Sequence, residues 1–141
     1  MKKKVLIKTA SCLCGGIKFK LKGKLRHVSN CHCSQCMKTH GNFGSYTNCP
    51  EKNIKFVNKK TLKWFKSSKI AKRGFCFKCG ASIFYKKNKS ENISISAGMI
   101  NKPTNLKTSL NIFTYGKLDY YKLDKRLVKF AKYSKYNSLW R

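Results

Sequence analysis

Seven of the eight cysteines fall in three short clusters, and their spacing suits metal chemistry. Cys12-Leu13-Cys14-Gly15-Gly16 is a C-x-C run closing onto a glycine turn. Cys31-His32-Cys33-Ser34-Gln35-Cys36 is a C-x-C-x-x-C. Cys76-Phe77-Lys78-Cys79-Gly80 is a C-x-x-C followed by glycine, the form of a zinc knuckle. Two thiolates two or three positions apart on a tight turn can grip one metal ion. The glycine lets the backbone turn and leaves amides free to hydrogen-bond sulfur.

Ligand counting sharpens this. Structural zinc is closed by four protein ligands, whereas catalytic zinc keeps three and leaves a position for water or substrate. Seven clustered cysteines divide naturally as four plus three. Cys12 and Cys14 with Cys76 and Cys79 make a closed site, and Cys31, Cys33 and Cys36 remain as a local three-thiolate site, so two zinc ions per chain are expected. Spacing leaves other pairings open: the central cluster can share ligands with either neighbour, or be closed by His32, His40 or Cys49. Cys49, just before Pro50, reads as a buried or free thiol. His27 reads as an ordinary strand residue. His32 lies between two ligands, so its side chain is expected to support the site or face solvent.

The same cysteines would serve a disulfide framework in a secreted protein. The start of the chain argues against secretion. Lys2-Lys3-Lys4 precede only Val5-Leu6-Ile7 before Lys8 interrupts, and a signal peptide needs about 7–15 apolar residues. No stretch approaches the roughly 20 apolar residues of a membrane span. The expectation is a soluble, cytoplasmic protein of 141 residues, one domain over 1–141, with metal as the use of its thiols.

The net charge of +29 invites a nucleic-acid reading. Its texture argues otherwise. Of 33 basic residues only Arg26, Arg73, Arg126 and Arg141 are arginines, the usual readers of bases and bidentate partners of phosphate. The lysines are spread along the chain, and with abundant Asn, Ile, Phe and Tyr they match a bias toward A/T-rich codons. No specific nucleic-acid partner is expected. The surface potential should still favour anionic small molecules and hold polyanions non-specifically at low salt.

The elements that must position the cysteines read mostly as strands. Ile17, Phe19 and Leu21 alternate with Lys18, Lys20 and Lys22, and Ile93 and Ile95 with Ser94 and Ser96. Leu62, Trp64 and Phe65, then Ile83-Phe84-Tyr85, suggest further short aromatic strands. Gly15-Gly16, Asn58-Lys59-Lys60, Lys87-Asn88-Lys89 and Asn101-Lys102-Pro103 supply turns. Ser34 to His40 suggests a helical turn with Ser34 as N-cap. Leu127 to Ala131 is too short to assign. The fold class expected is all-β.

At these residues the chain resembles the glutathione-dependent formaldehyde-activating family, also called centromere-protein-V-like. The resemblance runs from about residue 10 to 123. It rests on the three cysteine clusters in order, with Gly74-Phe75 leading the last, on Ile95-Ser96-Ala97-Gly98, and on Ile112-Phe113 with Asp119-Tyr120-Tyr121. It implies a tent-like, complex β fold shared with the Mss4-like group and the same four-plus-three division of zinc ligands. It also implies a carbon–sulfur lyase that joins formaldehyde and glutathione as S-hydroxymethylglutathione. One departure is visible: many members carry a histidine just before the Ile-Phe pair, where this chain has Asn111.

The chemistry suits a zinc held by three thiolates. Metal coordination favours the nucleophilic thiolate of a bound thiol, and ligands already negative make thiol delivery a better role than polarising the aldehyde oxygen. Lysines at the pocket rim would help capture anionic glutathione. The run His40-Gly41-Asn42-Phe43-Gly44-Ser45-Tyr46 is the expected pocket wall, with ordinary turn and strand packing as its alternative. The competing function is a zinc-stabilised binding module without catalysis. Methionine-sulfoxide reduction is disfavoured, since no cysteine follows Cys79.

Overall fold

The computed structural model describes residues 2–133; Arg141 lies outside them. The strands are, in chain order, β1 (Ile7–Ser11), β2 (Lys18–Lys22), β3 (Val28–Cys31), β4 (Gly44–Pro50), β5 (Ile54–Asn58), β6 (Leu62–Phe65), β7 (Ala71–Cys76), β8 (Ser82–Lys87), β9 (Asn92–Ser96), β10 (Thr108–Ile112) and β11 (Val128–Lys129). One α-helix, α1 (Ser34–His40), stands among the described residues, with three single turns of 3-10 helix. The protein is all-β.

The strands form two sheets, β1-β2-β5 and β11-β10-β3-β4-β9-β8-β7-β6. Neighbours are antiparallel except at β10, which runs parallel to both β3 and β11. Alternation in β2 works as expected: Phe19 and Leu21 are buried while Lys18, Lys20 and Lys22 face out. Phe19 meets Phe84 of β8 at 5.2 Å between ring centroids, and Phe56 of β5 meets the same ring at 6.0 Å. These rings join the two sheets. The core around them takes in Ile17, Leu21, Ile83, Ile93 and Ile95, and also Cys12 and Cys76.

A strand sends successive side chains to opposite faces. Phe84 therefore faces this core, and Tyr85 faces the other side of the large sheet. On that second face Arg73 of β7 stands opposite Tyr85, and Tyr85 stands opposite Ser94 of β9. The row is the floor on which the central cysteines sit.

One expectation needs correction, and one unassigned segment gains an element. Cys33, not Ser34, is the N-cap of α1: its sulfur accepts from the Cys36 N–H at 3.4 Å, so a thiol takes the role usually filled by a hydroxyl. Leu127 to Ala131, left unassigned by length, contains the two-residue strand β11, formed because β10 offers it an edge. No described helix is long and apolar enough to cross a membrane.

Candidate functional site

The structure brings Cys12, Cys14, Cys76 and Cys79 together, resolving the pairing that spacing leaves open: their sulfurs all lie within 4.8 Å of one another. Cys12 follows β1 and Cys76 ends β7, so the cluster ties the small sheet to the large one. The sulfurs of Cys12 and Cys14 are 3.7 Å apart, and those of Cys14 and Cys76 3.5 Å. A tetrahedron with sulfurs about 2.3 Å from zinc has edges of about 3.8 Å. A disulfide would close the gap to about 2.05 Å. The donor set and its spacing therefore fit zinc. Backbone amides point at the sulfurs: Gly16 to Cys14, Ile17 to Cys12 and Cys79 to Cys76, each at 3.4 Å, and the Thr61 hydroxyl lies 3.0 Å from Cys76. Gly15 and Gly80 carry the knuckle turns with φ of 77° and 76°, a region that favours glycine.

The second group is Cys31, Cys33 and Cys36, again with sulfurs within 4.8 Å. Cys31 ends β3, Cys33 caps α1, and Cys36 is buried in its first turn. Among the described residues no fourth His, Cys, Asp or Glu joins them. The expected alternatives are occupied elsewhere. His32 is 1% exposed, and its ring nitrogens meet Asn111 Oδ1 at 2.8 Å and the Tyr121 hydroxyl at 2.6 Å. His40 Nε2 meets the Tyr46 hydroxyl at 2.6 Å. Cys49 is fully buried in the main core, and burial pushes its thiol up to about 11. His27 is exposed just before β3, where its Nδ1 accepts from the Lys107 amide.

Crowding sets the protonation of the trio. Hydrogen bonds from Cys31 and Cys36 pull the Cys33 thiol well below its ordinary range, while the contact with Cys33 pushes Cys31 up. Sulfurs this close share protons, and a cation at their centre is what allows all three to ionise. The group fits zinc on donor type and spacing.

A cavity of about 300 Å³ opens over the trio. Cys31, Cys33 and Cys36 line it with Tyr46, Tyr85, Ile70, Ile112 and Phe113, the serines Ser29, Ser68 and Ser94, and Gln35. Its cations are Arg26 and Arg73. The rim lysines expected from composition are not in this lining, because the strands send their lysines outward and an arginine inward. Burial draws Arg26 down to about 10. Arg73 is 5% exposed and donates to the Cys36 sulfur at 3.7 Å. Of the expected wall, Tyr46 lines the cavity; His40 supports Tyr46, and Phe43 packs on His32 at 5.0 Å between ring centroids.

Residues 7–116 match the protein family described as glutathione-dependent formaldehyde-activating enzyme. The chain belongs to this family. The matched span holds all three clusters, while Asp119-Tyr120-Tyr121 lie beyond it. A crystal structure of a Rhodobacter sphaeroides protein shares the fold at a TM-score of 0.58 and 14% identity, over 86% of this chain and 98% of that one. No curated protein matches the chain.

Proposed function

We propose that this protein adds a small thiol, glutathione or a close analogue, to formaldehyde or a similar aldehyde, and cleaves the same adduct in reverse. The observation that carries the reading is the three-sulfur cluster on the wall of a cavity, with no fourth ligand among the described residues. In the forward direction a carbon–sulfur bond forms, the carbonyl π pair moves to oxygen, and that oxygen takes the proton the thiol gave up. The reverse cleavage makes the enzyme a carbon–sulfur lyase. Zinc, bound by Cys31, Cys33 and Cys36, would supply an open position that holds the substrate sulfur as thiolate.

The chain's own residues do the rest. Ile70, Tyr85, Ile112 and Phe113 give the reacting end an apolar wall that limits water. His32, buried and held neutral chiefly by that burial, locks the ligand loop between Cys31 and Cys33 through Asn111 and Tyr121. Cys12, Cys14, Cys76 and Cys79 hold the second zinc as a structural cross-link. Eight unpaired cysteines suit a reducing compartment, which supports a cytoplasmic site of action.

Formaldehyde consumption by zinc-loaded protein should rise with glutathione above the spontaneous rate, and Cys33→Ala should remove the excess. A wild-type protein that holds metal at both clusters yet never exceeds the spontaneous rate would leave a zinc-stabilised binding module as the better reading.

A further inference from the structure

We propose that Arg73 admits an anionic thiol to the three-sulfur site, by offsetting the negative charge of the sulfurs and positioning the incoming thiolate beside Cys36. This rests on the thiol-binding reading above and names the residue that makes it workable.

Three thiolates around a divalent ion leave a net negative charge before any substrate arrives. Glutathione brings a further anionic sulfur and carboxylates, so the approach is electrostatically opposed. The lysines that dominate the chain do not relieve this at short range, because they do not line the cavity. Surface charges act through water and salt, which screen them. Relief must come from a cation inside, and Arg73 of β7 is in contact with the cluster at 3.7 Å from Cys36 Sγ.

Its guanidinium is also set in place before a ligand arrives. Gln35 Oε1 accepts from both Nε and Nη2 at 3.3 Å, and the Tyr46 hydroxyl accepts from Nη1 at 3.1 Å. The plane lies over the Tyr85 ring, 5.1 Å from its centroid. Tyr46 is itself anchored on His40. A guanidinium carries five N–H groups in a rigid fork. These contacts use four of them and leave one Nη1 hydrogen on a side chain that lines the cavity. A lysine ammonium at the same place would supply charge without that fixed geometry.

The sign of the effect separates this role from mere support. A cation beside the cluster opposes metal binding and favours an anionic ligand. Removing it should weaken thiol binding while leaving metal retention intact or improved. Damage to the scaffold would weaken both.

The experiment uses the full chain with cobalt in place of zinc, whose sulfur charge-transfer absorption rises when a further thiolate joins. Glutathione and the neutral thiol 2-mercaptoethanol are titrated separately, and metal retention against a chelator is measured alongside. Arg73→Gln should lower affinity for glutathione by about tenfold or more, with the central metal held at least as well as in wild type. Arg73→Lys should recover part of the loss. Gln35→Ala, at an exposed position, loosens the clamp without threatening the core and should shift affinity the same way by about two- to fivefold. The loss should be larger for glutathione than for 2-mercaptoethanol. Equal thiol affinity in wild type and Arg73→Gln overturns the inference. So does parallel loss of metal and thiol in Arg73→Gln with no effect in Gln35→Ala. A wild type that takes up no thiol overturns both this and the proposed function. Thiol binding that depends on Arg73 without any turnover supports the role of Arg73 and sinks the lyase reading alone.

Discussion

The two cysteine clusters are built from the same element and handle its charge in different ways. Around Cys12, Cys14, Cys76 and Cys79 the negative charge is spread over three backbone amides and the Thr61 hydroxyl. Around Cys31, Cys33 and Cys36 it meets a guanidinium, and a cavity lies alongside. Amides at fixed distance suit a site that never changes its ligands. A mobile substrate charge calls for a countercharge, and buried arginine is well suited to supply one. The four-sulfur cluster also shares the main core through Cys12 and Cys76, whereas the trio forms its own small cluster with Tyr46. The proposed division follows from this placement: the four-sulfur cluster is expected to contribute to folding, and the trio to rest on a fold already made.

The largest expected effect tests that division directly. Cys76→Ser should abolish stable folding, because structural zinc contributes about 10–16 kcal/mol, comparable to or above the whole stability of a domain. Cys33→Ala should retain native circular dichroism and a cooperative melt while losing one of two metal equivalents. Equal loss of fold in both variants would erase the distinction. Mild chelation of wild type should show the same ordering, with one equivalent released quickly at constant structure and the second released only with unfolding.

The next effect sets the clusters against a cysteine in neither. Cys49 is fully buried in β4 among apolar neighbours, so Cys49→Ala removes one sulfur from a packed core. The expected cost is about 1–2 kcal/mol, read by denaturant unfolding, with both metal equivalents retained. Loss of a metal from this variant would place Cys49 in the coordination scheme and break the four-plus-three count.

A comparable but more local effect is expected behind the trio. Asn111→Leu removes the acceptor for His32 and leaves a buried ring nitrogen unpaired, at a cost of about 1–3 kcal/mol. The consequence should fall on the central cluster: faster release of its metal to a chelator, with the four-sulfur cluster unaffected. Loss confined to global stability, with unchanged metal release, would show that His32 does not brace the ligand loop.

These contrasts also mark what the residues reveal before folding. Ligand counting is legible because coordination number is a property of zinc, so seven thiols in three clusters suggest a four-plus-three partition, while the pairing itself is read only from the fold. The strands around Phe19 and Ile93–Ile95 are legible because one face is buried and the period is two. Arg73 is not, since β7 reads Ala-Lys-Arg-Gly-Phe-Cys and nothing there says that Arg73 turns inward while Lys72 turns out. Its faint signal is rarity, an arginine in a lysine-rich chain. His32 with Asn111 and Tyr121 joins positions 79 and 89 residues apart, a contact set by the parallel pairing of β3 with β10 and the segment beyond. Local pattern carries no trace of that distance. The helix cap is shifted by one residue for a local reason: the Cys33 sulfur, not the Ser34 hydroxyl, accepts from the Cys36 N–H.

The smallest effect separates outside charge from inside charge. The lysines of β2 face solvent, so their potential decays within a Debye length of about 8 Å at physiological salt. Binding of nucleic acid to this surface should be measurable at low salt, show no sequence preference, and largely vanish near physiological ionic strength. Thiol capture at the trio should behave differently, because Arg73 is buried and acts at contact distance. Raising salt over the same range should slow glutathione association by only about a few-fold, through lost steering, and leave the affinity of 2-mercaptoethanol unchanged. Metal retention in the four-sulfur cluster should not respond to salt at all, since its charge is met by amides within the fold. Nucleic-acid binding with strong sequence preference at high salt would overturn the reading of the lysines as a diffuse surface. Glutathione affinity that collapsed with salt as steeply as nucleic-acid binding would move the decisive cations out of the cavity and onto the rim.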